Sequence, residues 1–329
     1  MQRPIALAHG SEGGGNANRM LAVAEKLRTR DVPVLVAGGG PGATFLERNG
    51  FDEFEPTTID FISQRGEEGK DLVGTLVQVA PRAAKRFREF REWLDAVEPA
   101  VLLTDDPFAT IAATILDVPF FRIDHSSVSC YDRPFERLAF TIFNGYSLRC
   151  GEAFFYISVF DDPYPDRPAV VPVGPVAHVP PEPEAVEPFD VLIAPSTYSI
   201  GFDSIAEQLS EEGLSVTLVG GPDWETVDSL YPYAEAADVM LCSGFSSLAH
   251  AAVAGTPVIN YPFIDCQCGI ADRIEREGVR GIRVVRSADR AVEAVLDQPD
   301  PPEVENGAIE VAERLVGYRK WVEEPDSHT

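Results

Sequence analysis

Short apolar runs alternate along this chain with longer segments whose apolar positions recur every three or four residues. Residues 4–9, 32–37, 101–104, 118–123 and 154–159 read as strands, the last of them closing a first half. Residues 17–30 and 108–116 read as helices, and 81–93 as a helix with basic and aromatic positions interleaved. The Gly-rich turn at residues 38–42 opens a further helix, with Pro41 suited to a first helical position. Pro172, Pro175, Pro180, Pro181, Pro183 and Pro188 then interrupt the pattern, as an interdomain linker would.

The alternation resumes after the prolines. Strands are expected at 190–194, 216–219, 239–242 and 257–260, with helices at 200–211, 246–254 and 271–277. Residues 304–322 form one more helical pattern, carrying Tyr318 and Trp321. Alternating strands and helices predict parallel sheets. The expected organisation is two Rossmann-like α/β domains, 1–170 and 189–303, joined by a linker at 171–188. The helix and tail at 304–329 are expected to pack back on the first domain. Ligands of such sheets bind outside the carboxyl ends of the strands, so the strand-end residues are the ones that matter.

Composition narrows the class. With 45% hydrophobic residues the chain can build cores, and no apolar run is long enough to span a membrane. Residues 1–8 lead straight into a strand and do not read as a signal peptide, so a cytoplasmic location is expected. Net charge is −26, from 27 Lys plus Arg against 53 Asp plus Glu. Residues 1–168 hold 18 basic and 25 acidic side chains, and residues 169–329 hold 9 and 28. Such an acidic, lysine-poor surface suits a concentrated salt medium, where repulsion is screened, and speaks against nucleic-acid binding. Five cysteines, none in a C-x-x-C pair, give neither a disulfide framework nor a zinc site.

Ser243-Gly244-Phe245-Ser246-Ser247 directly follows a strand and opens a helix. Small residues admit a ligand close to the backbone, and free amides at a helix start attract a diphosphate. The same residues would also serve as a plain capped turn. In the first half, His9, Asp105-Asp106 and Asp124-His125 stand at strand ends, and Glu12 lies in the loop after the first strand. Each has an ordinary alternative: helix capping, packing or solvation. The segment 81–93, with Arg82, Lys85, Arg86 and Arg88, reads either as a contact for anionic lipid or phosphate, or as a solvated face with local ion pairs.

The longer pattern carries a resemblance. Asp238 through Gly244, then Ala254-Gly255-Thr256-Pro257-Val258-Ile259, then Tyr261-Pro262-Phe263-Ile264-Asp265 and Gln267, resembles the donor segment of GT-B glycosyltransferases. The nearest look-alikes are the lipid-linked N-acetylglucosaminyl transferase of peptidoglycan synthesis and its archaeal relatives. Gly13-Gly14-Gly15-Asn16-Ala17-Asn18-Arg19 resembles that family's loop after the first strand, and Ala194-Pro195-Ser196-Thr197 its Gly-Gly-Ser turn. The resemblance implies a GT-B architecture, two domains facing across a cleft. It implies that Ser196, Thr197, Ser243, Gly244, Phe245, Ser246 and Ser247 meet the nucleotide diphosphate, and that Asp265 and Gln267 meet the sugar. His9, Gly13, Gly14, Gly15, Asn16 and Arg19 would form the acceptor-side loop.

Two departures stand out. The family's loop histidine, the general base, is Asn16 here, and an amide cannot take a proton at neutral pH. The family's ribose-binding Glu is His250, which can still hydrogen-bond a ribose hydroxyl and so stays among the donor-binding residues. If the chain transfers a sugar, His125 is the best replacement base, followed by Asp105 and Asp106, then His9 and Glu12. The resemblance implies a hexosyltransferase that inverts the anomeric carbon, with a nucleotide sugar (UDP-linked) as substrate and no other cofactor or metal. Its acceptor would be lipid-linked or a glycan, reached through peripheral contact at the inner face of the membrane. The alternatives on the same fold are a UDP-sugar 2-epimerase or hydrolase, and a non-catalytic binder of nucleotide sugars.

Overall fold

The computed structural model describes residues 2–59, 72–125, 134–160, 167, 169–196, 199–220 and 227–324, with backbone alone at 72–78 and 134–136. The first sheet has seven parallel strands: β1 (Ile5–Ala8), β2 (Val34–Ala37), β3 (Glu53–Phe54), β4 (Val101–Thr104), β5 (Phe120–Asp124), β6 (Ala153–Ile157) and β7 (Val170–Val173). Their order is β3-β2-β1-β4-β5-β6-β7. The second sheet has five: β8 (Phe189–Ala194), β9 (Val216–Leu218), β10 (Ala237–Cys242), β11 (Val258–Asn260) and β12 (Ile282–Val284), in the order β12-β11-β10-β8-β9. Each sheet reverses its winding once, between β1 and β4 in the first and between β8 and β10 in the second. Those switch points are where open α/β sheets leave a crevice.

Helices follow the strands. In the first domain they are α1 (Gly15–Arg28), α2 (Ala43–Arg48), α3 (Leu72–Val97), α4 (Pro107–Ile115) and α5 (Pro134–Cys150). The second has α6 (Phe202–Glu211), α7 (Tyr231–Ala236), α8 (Phe245–Ala254), α9 (Asp265–Glu277) and α10 (Ala288–Leu296). Side-chain alternation on β1 explains the layering. Ile5 and Leu7 join Met20, Leu21 and Leu27 of α1 on one face, while Ala6 and Ala8 meet Phe90 and Leu94 of α3 on the other. The second sheet is covered on both faces in the same way, by Leu192 and Ala194 on one side and Val191 and Ile193 on the other.

The last helix, α11 (Gly307–Glu323), returns to the first domain and packs on α1 through Ala308, Val311, Ala312 and Leu315. Its start is clamped to the interdomain strand-to-strand segment. Asn306 Nδ2 donates to the Ala177 carbonyl at 2.8 Å, and Gly307 N–H donates to the Pro175 carbonyl at 2.9 Å. A Cβ on Gly307 would run into the Gly174 carbonyl, so the close approach requires glycine there.

Several expectations change; β3, α7, β12 and α10 stand where no element was expected, and α3 is longer than the 81–93 read for it. β6 does not close the first sheet, because β7 pairs beside it, with Val171 opposite Phe155 and Pro172 opposite Tyr156. The stretch read as linker from 171 therefore begins with three sheet residues, and Pro172 is tolerated on an edge strand, where its missing N–H faces no partner. Helix α5 was not anticipated, since its apolar residues run almost all round and show no single stripe. Helix α9 begins at Asp265, six residues before the expected start, because the Gln267 side chain accepts from the Phe263 and Ile264 amides and holds the first turn. Among the described residues no helix is long and apolar enough to cross a membrane.

Candidate functional site

At the switch point of the second sheet, three hydroxyls interlock. Ser196 follows β8 and Ser243 follows β10. The Ser196 N–H donates to Ser243 Oγ at 2.7 Å, and Ser199 Oγ lies 2.6 Å from Ser243 Oγ and 2.9 Å from Ser196 Oγ. Gln267 reaches over from α9, and its Nε2 donates to Ser196 Oγ at 3.1 Å. Its Oε1 accepts from the Phe263 N–H at 2.9 Å, and among the described residues the second Nε2 hydrogen has no acceptor. Ser199 belongs to this cluster and was not expected. Its signal was present in the sequence, as a third small polar residue, after Ser196 and Thr197, in the segment that follows β8. Thr197 lies outside the described residues.

Gly244 stands at the N-cap of α8 with no side-chain cap, so the first amides of that helix meet no protein acceptor from a capping side chain. Phe245, Ser246 and Ser247 are partly exposed at this helix start, and Asp265 is exposed at the first residue of α9. His250, one turn further along α8, does not face this opening. It is 2% exposed, its Nδ1 lies 2.8 Å from the Ser246 carbonyl, and its Nε2 accepts the His178 N–H at 3.3 Å. Both ring nitrogens are spent on the main chain, and burial pushes the imidazole pKa down. The expected ribose contact through His250 is therefore replaced by a structural role tying α8 to residue 178.

At the switch point of the first sheet lies a buried network of charges. Asp105, after β4, accepts the Gly10 N–H at 2.7 Å and Arg19 Nη1 at 2.8 Å. Burial pushes its pKa up against the opposing effect of Arg19, His9 and the Gly10 amide. The other arm of Arg19, Nη2, lies 2.6 Å from His125 Nδ1. Arginine only donates, so Nδ1 must be the bare nitrogen of a neutral ring. Burial and the Arg19 charge pull the His125 pKa down to about 4 despite Asp124. This engagement argues against His125 as the general base: its lone pair is occupied and its conjugate acid is too strong.

The remaining residues of the first domain divide by burial. His9 is fully buried, with Nδ1 2.9 Å from the Gly10 carbonyl and Nε2 2.7 Å from Glu53 Oε1. Burial opposes its charge, but Glu53, the Gly10 carbonyl and Asp105 together raise its pKa, and a Cβ on Gly38 would overlap its ring. It is packed against Glu53 and does not reach the crevice. Asp106 caps α4 through Phe108 and Ala109 N–H groups and pairs with buried Arg86 at 2.8 Å, which makes it structural and corrects its placement among the candidate bases. Asn16 sits on the second residue of α1, over Gly10, and Glu12 is half-buried in the loop between β1 and α1.

The basic helix also divides. Arg82, Lys85 and Arg88 are exposed on α3, whereas Arg86 is 1% exposed and donates to Asp106, Gly38, Thr57 and His9. Arg86 cannot take part in an outer contact; it ties the ends of β1, β2 and β4 together.

The two crevices face each other. The His125 ring is stacked on Phe245, and a Cβ on Gly15 of α1 would lie 3.2 Å from Ser246 Cβ. Gly13, with φ +65°, turns the loop that brings the start of α1 to the start of α8. A separate hollow of about 440 Å³ is lined by Glu235, Asp238, Thr256 and Pro257. It opens at the amino ends of β10 and β11, away from these groups. Among the described residues, no three His, Cys, Asp or Glu side chains cluster as metal ligands would.

No family model and no curated protein sequence matches the chain. Solved structures do. SnogD, a glycosyltransferase from Streptomyces nogalater, superposes with TM-score 0.62 at 15% identity, over 97% of this chain and 100% of its own. UGT89C1 from Arabidopsis thaliana, in complex with UDP-L-rhamnose, gives 0.59 at 13% identity, over 100% and 96%. MurG from Acinetobacter baumannii gives 0.57 at 12% identity, over 95% and 99%. With two parallel sheets facing across a cleft and a C-terminal helix returned to the first domain, the chain has the GT-B fold of nucleotide-sugar glycosyltransferases.

Proposed function

We propose that the chain is an inverting hexosyltransferase that takes a sugar from a uridine diphosphate donor to an acceptor hydroxyl. One observation carries the reading. The uncapped start of α8 and the Ser196–Ser199–Ser243 hydroxyl cluster lie at one switch point, directly opposite the Gly-rich loop and strand ends of the other domain. A diphosphate fits the amides of Phe245 to Ser247 and the positive end of the helix, which would stabilise the charge that grows on the departing nucleotide. Ser246 and Ser247 would add hydroxyl donors, and Asp265 and Gln267 would meet the sugar.

The acceptor enters from the loop of Glu12 to Arg19. In this reading Glu12 is the carboxylate that receives its proton, while Asp105, whose two oxygens are held by the Gly10 amide and Arg19, supports the loop. Exposed Arg82, Lys85 and Arg88 on α3, with exposed Ile111 and Ile115 on the neighbouring α4, suit an acceptor carried on an anionic lipid surface at the inner face of the membrane. The acidic surface suits work in concentrated salt. A second reading, a nucleotide-sugar binder without turnover, is favoured by Asn16 standing where the resembling family has its base.

Purified full-length protein, in low and in molar salt, is incubated with a panel of UDP- and TDP-sugars, with and without lipid-phosphate and oligosaccharide acceptors. Acceptor-dependent release of UDP, with an inverted product, is the expected result. Free sugar or an altered sugar nucleotide without acceptor would replace the transferase by a hydrolase or 2-epimerase. Calorimetric binding without turnover under every acceptor would leave the binder, and no binding of any donor overturns the site.

A further inference from the structure

Arg19 joins two groups that the first domain places at neighbouring strand ends. Its Nη1 donates to Asp105 at 2.8 Å and its Nη2 lies 2.6 Å from His125 Nδ1, with the arginine itself 6% exposed. A guanidinium has five donors and no acceptor, so the contact with His125 has one sense only. Nδ1 accepts, and the ring's proton must sit on Nε2. The carboxylate behind Arg19 fixes the guanidinium plane and so fixes the tautomer, as outer partners do for metal-bound and catalytic histidines.

The ring is also held in plane. Phe245, the first residue of α8, stacks on it with centroids 4.6 Å apart. Asp124 Oδ1 accepts the His125 N–H at 2.8 Å, which fixes its main chain. The charged groups around the ring are Arg19 from α1 and Asp124 from β5, with Arg122 paired to Asp124 at 2.7 Å and Asp105 paired to Arg19. The side chain keeps one fifth of its surface open, and Nε2 has no protein partner among the described residues.

We propose that His125 is a neutral hydrogen-bond donor, presenting Nε2–H to an anionic oxygen of the nucleoside diphosphate at the start of α8, and that Arg19 is the positioning residue that sets this tautomer. The proposal rests on the nucleotide-sugar reading for its ligand, but not for its tautomer. It makes His125 part of the anion site that α8 begins, in place of a base toward the acceptor. A donor held ready in one orientation stabilises developing charge without rearranging. Asp105 serves it only through Arg19.

Two measurements test it. Long-range nitrogen–proton spectra of the labelled full-length protein, without ligand, report the tautomer of each of the five histidines, with His125 assigned by the signal lost in His125→Gln. His125 is expected as the Nε2-protonated form, unchanged from pH 8 to pH 5. In Arg19→Lys the His125 signal should move toward a tautomer mixture and begin to titrate. A wild-type His125 that is protonated on Nδ1, or that titrates near pH 6.5, overturns the proposal. The second measurement is calorimetric binding of uridine diphosphate. A hydrogen bond to a charged group predicts a loss of roughly tenfold or more in His125→Ala. His125→Gln, which keeps a side-chain N–H donor but no basic nitrogen, should recover most of it. Equal losses in the two variants overturn the donor role. If wild-type protein binds no uridine diphosphate, the nucleotide-sugar reading fails, while the spectra still decide the tautomer.

Discussion

The His125 ring lies parallel to the Phe245 ring, with centroids 4.6 Å apart and planes within 7°. One residue ends β5 of the first domain and the other begins α8 of the second. Phe245 also touches the cores of both domains. It is thus an interdomain contact as well as the first residue of α8. Phe245→Ala should cost about 2 kcal/mol, below the full range for a buried phenylalanine because the ring is partly exposed. The expected outcome is a wider separation of the domains by small-angle scattering and a melt that splits toward two transitions. A single unshifted transition would show that the stack does not couple the halves.

Gly15 approaches Ser246 so closely that an added Cβ would lie 3.2 Å from Ser246 Cβ. Its own backbone is helical and would accept a side chain. Gly15→Val therefore tests the closed approach of the domains without straining α1. Stability should hold to within about 1 kcal/mol. Donor turnover, or donor affinity if there is no turnover, should fall at least tenfold because the two helix starts are forced apart. An unchanged donor response would mean that the ligand does not bind between them.

Much of this arrangement was legible in the chain. The alternation of apolar runs gave the two parallel sheets, and the Ser243 to Ser247 turn stood at a strand end on pattern alone. What could not be read was which way each polar side chain turns. His9, His125 and His250 look alike as strand-end or helix residues, yet one is buried against Glu53, one is held by Arg19, and one is spent on the main chain. Those fates depend on residues far along the chain, Glu53 and residue 178 among them, and local spacing contains no trace of such partners. Arg86 shows the same limit. It belongs to a helix with alternating charges and differs from Arg82 and Arg88 only in the face it occupies.

Arg86 supplies a third prediction. It is 1% exposed and forms a buried ion pair with Asp106, with further bonds to the carbonyls of Gly38, Thr57 and His9. Removing one partner strands the other charge, so Arg86→Ala should destabilise the fold by roughly 3–5 kcal/mol in a denaturant titration. Arg82→Ala and Arg88→Ala, on the exposed side of the same helix, should stay within about 0.5 kcal/mol. If all three variants behave alike, the division of the helix into a tie and an outer face is wrong.

His178 lies at full burial in the segment between the sheets, and among the described residues neither ring nitrogen has a hydrogen-bond partner. Its main chain carries the useful bonds, N–H to His250 Nε2 and carbonyl from Ser229 Oγ. Burial, with His250, Lys26 and Arg28 nearby, pulls its pKa down to about 3, against 6.5 for a free histidine. The unfolded chain therefore takes up a proton below pH 6.5 that the folded chain refuses. Stability from this residue is complete above pH 6.5 and is lost as pH falls from there toward 3, by at most about 1.4 kcal/mol per pH unit. His178→Leu keeps both main-chain bonds and removes two unpartnered polar atoms. At pH 7 it should be neutral or stabilising by about 1 kcal/mol. Between pH 6.5 and 5 its unfolding free energy should fall less steeply than that of the unaltered protein. Parallel pH profiles for the two proteins would show that the ring finds a partner, or a proton, in the folded state.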